Sequence, residues 1–500
     1  VSLIGLDVGT SSLKIAAYQE DGRLLASTQL ALTLHTPRPG WSEVAPSEVW
    51  RATQIGLKQI AGESALRRDP PRALAIAASG DEVFPVDSRG EALAACIMSG
   101  DTRGQAVEAR TVQHATPQAW YAGCGHVPER MDPVNRILWW REHAPEMMPR
   151  VERFLGWHEY LTLHLCGEAI TDPSLAAKWA IYDLQTQDWS TAWMHKLGID
   201  AGWLPRIAAW GRPIGVLDSA LQRALGFSQS VSLGVGAFDA SCAALGAGVS
   251  QVGVVGLACG SWEVVTVPTD NRTISQQIRA AEFPLVPHPG AAGFALLAQS
   301  PNGASVMQWL SELVGHDLSA LLAAVNATSG GPAPVLAIPH LSGSINPQHG
   351  GRNSRAAFLG MTLATTPAVL LQALLESVAY DLALVLRQFS ASGFAHHVLR
   401  ATGGGARADW WMQLKADLTG LPVEVVQCRE PGTFGAAILA GVAAGIYPSP
   451  GQAAEAMVHI GQRFAPNAHR CRLHREQLAA YRDVVAALMP TNRRLSHAAL

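Results

Sequence analysis

Asp7 is the lone acid of Leu3–Ile15, LIGLDVGTSSLKI, where an apolar strand runs into glycine and small hydroxyl residues and back into an apolar strand. A carboxylate placed there is costly without a partner. Glycine and Ser/Thr residues between two strands aim backbone N–H groups and hydroxyls at one spot, so Gly9, Thr10 and Ser11 read as a phosphate cradle. Mg2+ bridging the carboxylate and the phosphates is then the partner that Asp7 lacks. The plainer alternative is an acid that caps a turn. Val252–Val267, VGVVGLACGSWEVVTV, has the same rhythm and brings Gly260 and Ser261 to its turn. It reads as an internal repeat of the first hairpin, against the alternative of two unrelated hairpins. Two more pieces carry chemistry. Asp239 stands alone among small apolar residues in Gly234–Gly248, GVGAFDASCAALGAG, as a general-base candidate or as the N-cap of a helix over Ser241–Leu245. Gly403–Ala406, GGGA, lies between a strand and a helix, where missing side chains let a ligand approach the backbone or simply make a turn.

The elements that must hold these residues follow from periodicity. LIGLDV and LKIAAYQ read as strands, EDGR at Glu20–Arg23 as a turn, and SEVWRATQIGLKQIAG as a helix with Ser47 as N-cap. Pro367–Ser392 is a long apolar helix; HHVLRAT, the glycine turn, DWWMQLKADLTG and LPVEVV then alternate strand and helix as in an α/β domain. Five hundred residues exceed one core, so two domains are expected, meeting near Ala247–Ser250: 1–247 and 248–490. A net charge of -3 makes no electrostatic case for nucleic acid. Seven scattered cysteines without a CxxC pair point to reduced thiols rather than a disulfide framework or zinc site. Val1–Leu6 is too short for a signal peptide's apolar region, and uncharged Ala240–Trp262 is too rich in glycine and serine for a membrane span, so the expected setting is cytoplasmic, with no membrane partner.

Taken in order, these pieces resemble the FGGY family of carbohydrate kinases. The match runs through DVGTSSLK, GAFDASCAALGAG, GGGARADWWMQLKADLTGLPVEV and GTFGAAILAG, with MDPVNRILWWRE at Met131–Glu142 and TDPSLAA at Thr171–Ala177 in support. The resemblance implies two ribonuclease-H-like domains of the actin/hexokinase type with an interdomain cleft, the sugar mainly on the first and ATP on the second. It implies that Asp239 is the general base and that Asp7 organises Mg2+. Gly9, Thr10, Ser11, Lys14, Gly260, Ser261, Gly303, Gly404, Gly405, Ala406 and Asp409 would serve the nucleotide. A homodimer is carried as the expected assembly.

On the sugar side the resemblance places Gly80 and Asp81 where glycerol kinases have Arg-Glu and xylulose kinases Met-His. Asp101 and Arg103 keep part of a Trp-x-Asp-x-Arg pattern, with Ser99 replacing tryptophan, and Met131 stands at the tyrosine of glycerol kinases. The loop GSINP, Gly343–Pro347, lacks that family branch's charges. The implied reaction is ATP-dependent phosphorylation of a primary hydroxyl, D-xylulose to D-xylulose 5-phosphate. Ribulose, erythritol and gluconate are the alternatives, with Arg103 as the cation a sugar acid would need. The rival classes are an actin-like ATPase and a non-catalytic sugar-binding regulator.

Overall fold

The computed structural model describes residues 1–272, 275–290, 293–328, 331–344, 346 and 351–498. Among them two seven-stranded mixed sheets dominate. The first runs in the order Pro213–Val216, Ser232–Gly234, Pro71–Ala78, Ser2–Val8, Ser12–Gln19, Leu24–Ala31, with Ala237–Phe238 pairing on Pro71–Ala78. Ser2–Val8 pairs antiparallel with Ser12–Gln19 and parallel with Pro71–Ala78. The second sheet repeats this plan. Gly253–Cys259 pairs antiparallel with Glu263–Thr269 and parallel with His396–Thr402, which continues parallel to Val423–Val426. Both expected hairpins are present, each beside a central parallel strand. Ile460–Phe464 closes the second sheet antiparallel to Val423–Val426.

Period-2 alternation sorts the first sheet's two faces. Ile4, Leu6, Val8, Leu74 and Ile76 face one core, whereas Leu3, Ala73, Ala75, Ala77 and Tyr18 face the helix Pro431–Ala443. That helix belongs to the second half of the chain yet packs on the first half's sheet, its contacts made by Phe434 and Ala436–Ala440. The fit needs small residues on both sides: a side chain at Gly5 would strike the Thr433 carbonyl, and one at Gly432 would strike the Asp7 carboxylate.

Two local expectations change. The first long helix is Pro46–Gly62 with Ala45 at its N-cap and no side-chain cap, so Ser47 lies inside its first turn. Pro46 starts it earlier, because proline suits a position whose N–H has no helical acceptor. The helix expected from Ser241 begins at Asp239 itself, with Phe238 as N-cap. Pro367–Ala391 is long and apolar enough to cross a membrane, but most of it is buried in the second half's core.

Candidate active site

Asp7 lies at the end of the central strand, opposite Lys14 in the hairpin register. One carboxylate oxygen, Oδ1, is buried with no hydrogen-bond partner, and burial pushes the group up to about 6 against the opposing pull of Lys14. Lys14 gives its ammonium to Glu430 at 2.7 Å, just before the helix that abuts Asp7. Asp7 is thus a carboxylate short of positive charge. Among the described residues no cluster of three or more His, Cys, Asp or Glu side chains is arranged to hold a metal ion. The orphaned oxygen nevertheless fits a cation whose remaining ligands are phosphate and water.

The hairpin turn beside Asp7 closes by Gly9 N–H donating to the Ser12 carbonyl at 3.0 Å and leaves Thr10 and Ser11 exposed. The second turn is tighter: Gly260 N–H donates to the Trp262 carbonyl at 3.0 Å, and Ser261 is exposed. Gly303 packs behind it and donates to the Ser261 carbonyl at 3.0 Å. Gly403, at φ 90°, carries the chain from the parallel strand against the Cys259 backbone, a conformation suited to glycine. Beyond it opens a cleft of about 410 Å³, with Gly403, Gly404, Ala406 and Arg407 on one wall and Gln427 and Arg429 on the other. Gly405 faces inward against Trp411 and Cys259, and Asp409 accepts from Gln462 at 3.3 Å; neither lines this cleft.

Asp239 opens its helix where the last strands of the first sheet end, and its Oδ1 accepts from the Ala240 N–H at 2.6 Å. Burial, followed by the carboxylates of Asp7, Glu82 and Asp81, pushes its carboxyl well above the usual range. The loop Ser79–Glu82 carries two of those carboxylates. It is braced from below by Arg136, which is fully buried and donates to the carbonyls of Asp81, Ile97 (2.7 Å) and Met98 (2.7 Å). Glu82 is buried; desolvation and then Asp81 raise its carboxyl, while Ser79 and Arg136 oppose the rise. Asp81 pairs with Lys178 at 3.1 Å.

Asp101 and Arg103 are committed to one another. Arg103 binds Asp101 at 2.7 Å and Glu43 at 2.7 Å, lies 4.0 Å over the Trp41 ring, and leaves 3% of its side chain exposed. Its guanidinium is therefore held by protein groups on all of these sides, not free as the expected cation for a sugar acid. Met131 is half-buried in the turn before the helix Pro133–His143. Of the loop Gly343–Pro347, Ile345 and Pro347 lie outside the described residues. Sequence reasoning missed Lys178, Glu82 and Glu430. Glu82 adjoins Asp81, and Lys178 follows the matched TDPSLAA stretch, but nothing local marks either as facing the site.

Residues 2–246 match the family model for the N-terminal domain of the FGGY family of carbohydrate kinases, and residues 255–444 match that for its C-terminal domain. The chain is 26% identical to the L-xylulose/3-keto-L-gulonate kinase of Escherichia coli (strain K12), covering 98% of each. It is 27% identical to the xylulose kinase of the same organism, over 97% of this chain and 99% of that one. The crystal structure of ligand-bound xylulose kinase from Lactobacillus acidophilus superposes with a TM-score of 0.89 at 20% identity, covering 99% of each chain.

Proposed function

The chain belongs to the FGGY family of carbohydrate kinases and is an ATP-dependent sugar kinase; from that premise we propose that it phosphorylates a primary hydroxyl of a small ketose, D-xylulose giving D-xylulose 5-phosphate. The observation that carries this reading is Asp239, placed among Asp7, Asp81 and Glu82 with its carboxyl driven toward the protonated form. Once ionised, a carboxylate so placed is a stronger base than a free one, which suits it to take the hydroxyl proton as the sugar oxygen attacks phosphorus. In this reading the sugar rests on the Ser79–Glu82 loop and the nucleotide on the glycine turn. The sugar oxygen bonds to the γ-phosphorus, the bond to the ADP oxygen breaks, and the hydroxyl proton passes to Asp239. Thr10, Ser11 and Ser261 present hydroxyls toward the phosphates. Mg2+, held at Asp7 with phosphate oxygens, would supply the positive charge that Asp7 and Asp239 lack.

The test is ATP turnover against D-xylulose, D-ribulose, erythritol and D-gluconate, with the product's phosphate position read by NMR. The expected result is the highest kcat/KM with D-xylulose and phosphate on its terminal hydroxyl. ATP turnover that no sugar stimulates would overturn the reading and favour the actin-like ATPase.

A further inference from the structure

The cations near the sugar-side loop differ in what they can reach. Arg136 is fully buried on three carbonyls, and Arg103 is enclosed by Asp101, Glu43 and Trp41. Arg130 gives one N–H to the Asp101 carbonyl at 3.0 Å. Lys178 and Asp81 form an ion pair that keeps 20% and 17% of its side chains open. The aliphatic stem of Lys178 lies directly over Gly80: a Cβ there would sit 2.7 Å from Lys178 Cγ and 3.0 Å from its Cβ. The ammonium stands 5.6 Å from the ring centroid of Phe238, the residue before Asp239.

We propose that Lys178 and Asp81 act as one donor–acceptor pair that reads adjacent hydroxyls of a neutral polyhydroxylated substrate, and that this pair discriminates against sugar acids. The inference rests on the kinase reading above and adds the pair of residues that sets its substrate selection. A hydroxyl both donates and accepts, so a sugar lying against the pair satisfies both members. A carboxylate only accepts. It would gain Lys178 while meeting the like charge of Asp81. Asp132 and Glu129 also bear on the ammonium, so its charge is already balanced before any substrate arrives. Gly80 has a definite part in this arrangement: its missing side chain is the space through which Lys178 crosses the loop to reach Asp81.

The experiment uses the full chain and two variants, Lys178→Met and Gly80→Ala. Calorimetric binding and initial rates are measured with D-xylulose, D-ribulose, erythritol and D-gluconate, beside a thermal melt. Methionine keeps the stem over Gly80 but removes the donor; alanine keeps the donor but displaces the stem. Lys178→Met is expected to weaken neutral-sugar binding about 10- to 100-fold, the loss of one charged hydrogen-bonding group, and Gly80→Ala to weaken it in the same direction by moving that group off its position. The KM for ATP should be little changed, and kcat should move less than the sugar KM. Wild-type sugar affinity in Lys178→Met would overturn the inference, since it would make the pair purely structural. Wild-type enzyme that binds D-gluconate as tightly as the ketoses would also overturn it, and would point to Arg130 as the anion's partner. That second result leaves the kinase reading intact, whereas ATP turnover stimulated by no sugar defeats the kinase reading itself.

Discussion

In the first sheet the parallel strand Pro71–Ala78 runs out into Ser79–Glu82; in the second, His396–Thr402 runs out into Gly403–Ala406. Each strand lies beside the first strand of a hairpin whose turn carries glycine and hydroxyl groups. The loops differ in kind. The first bears two carboxylates, one under Lys178, and is braced by a buried arginine. The second is bare backbone packed on Cys259. The hairpins differ likewise: Asp7 pairs in register with Ala77 of the parallel strand, whereas Ala258 occupies that setting beside Thr402. The same strand plan therefore presents charge in one half and open backbone in the other; in the proposed reading the first selects and deprotonates the sugar and the second admits the nucleotide. Each half also sets one buried cation beneath its loop, Arg136 on carbonyls and Lys415 on Glu263.

Asp239→Asn removes the proposed base from the charged half and should lower kcat by about 10²- to 10⁴-fold, with sugar affinity by calorimetry close to wild type. A kcat near wild type would end the assignment. The two buried cations offer a sharper contrast. Arg136→Met leaves three carbonyls without a donor and should cost about 3 kcal/mol or more of stability. Lys415→Met strands buried Glu263 and should cost about 3–5 kcal/mol. Denaturant titration should show both losses, but Arg136→Met should raise the sugar KM and Lys415→Met the ATP KM. Matching effects on both substrates would erase the division between the halves. Gly403→Ala forces a side chain into a left-handed conformation 2.7 Å from the Cys259 carbonyl, so about 1–3 kcal/mol of strain and a raised ATP KM are expected, with the sugar KM unchanged.

The smallest expected effect is on pH dependence. Asp7 titrates at about 6 in the free protein, above its unfolded value, so the folded state favours the protonated acid. Its contribution to stability is therefore greatest in acid and is lost as pH rises through about 6. In the proposed reading nucleotide binding with Mg2+ draws on the carboxylate form, so kcat/KM for ATP should fall as pH drops below about 6. Asp7→Asn should remove that limb from the profile. Superimposable profiles would leave Asp7 as a turn residue.

What the sequence determined by itself is local. Alternating apolar residues around Gly9–Ser11 and Gly260–Ser261 made both hairpins legible, and small residues around Asp239 and at Gly403–Ala406 marked turns and close approach, because strand period and turn chemistry act within a few residues. The tertiary structure decided which charges meet. Lys14 and Glu430 are 416 residues apart in the chain, and they pair because the helix Pro431–Ala443 crosses onto the first sheet's alanine face. Arg103 had the composition of a sugar-acid ligand, yet Glu43 and Trp41 enclose it. Lys178 carried no local mark and reaches Asp81 because Gly80 leaves room for its stem. A side chain's type is written in the sequence, but whether its charge faces a ligand or a partner depends on what the fold packs around it, and desolvation in that packing sets the group's protonation as well.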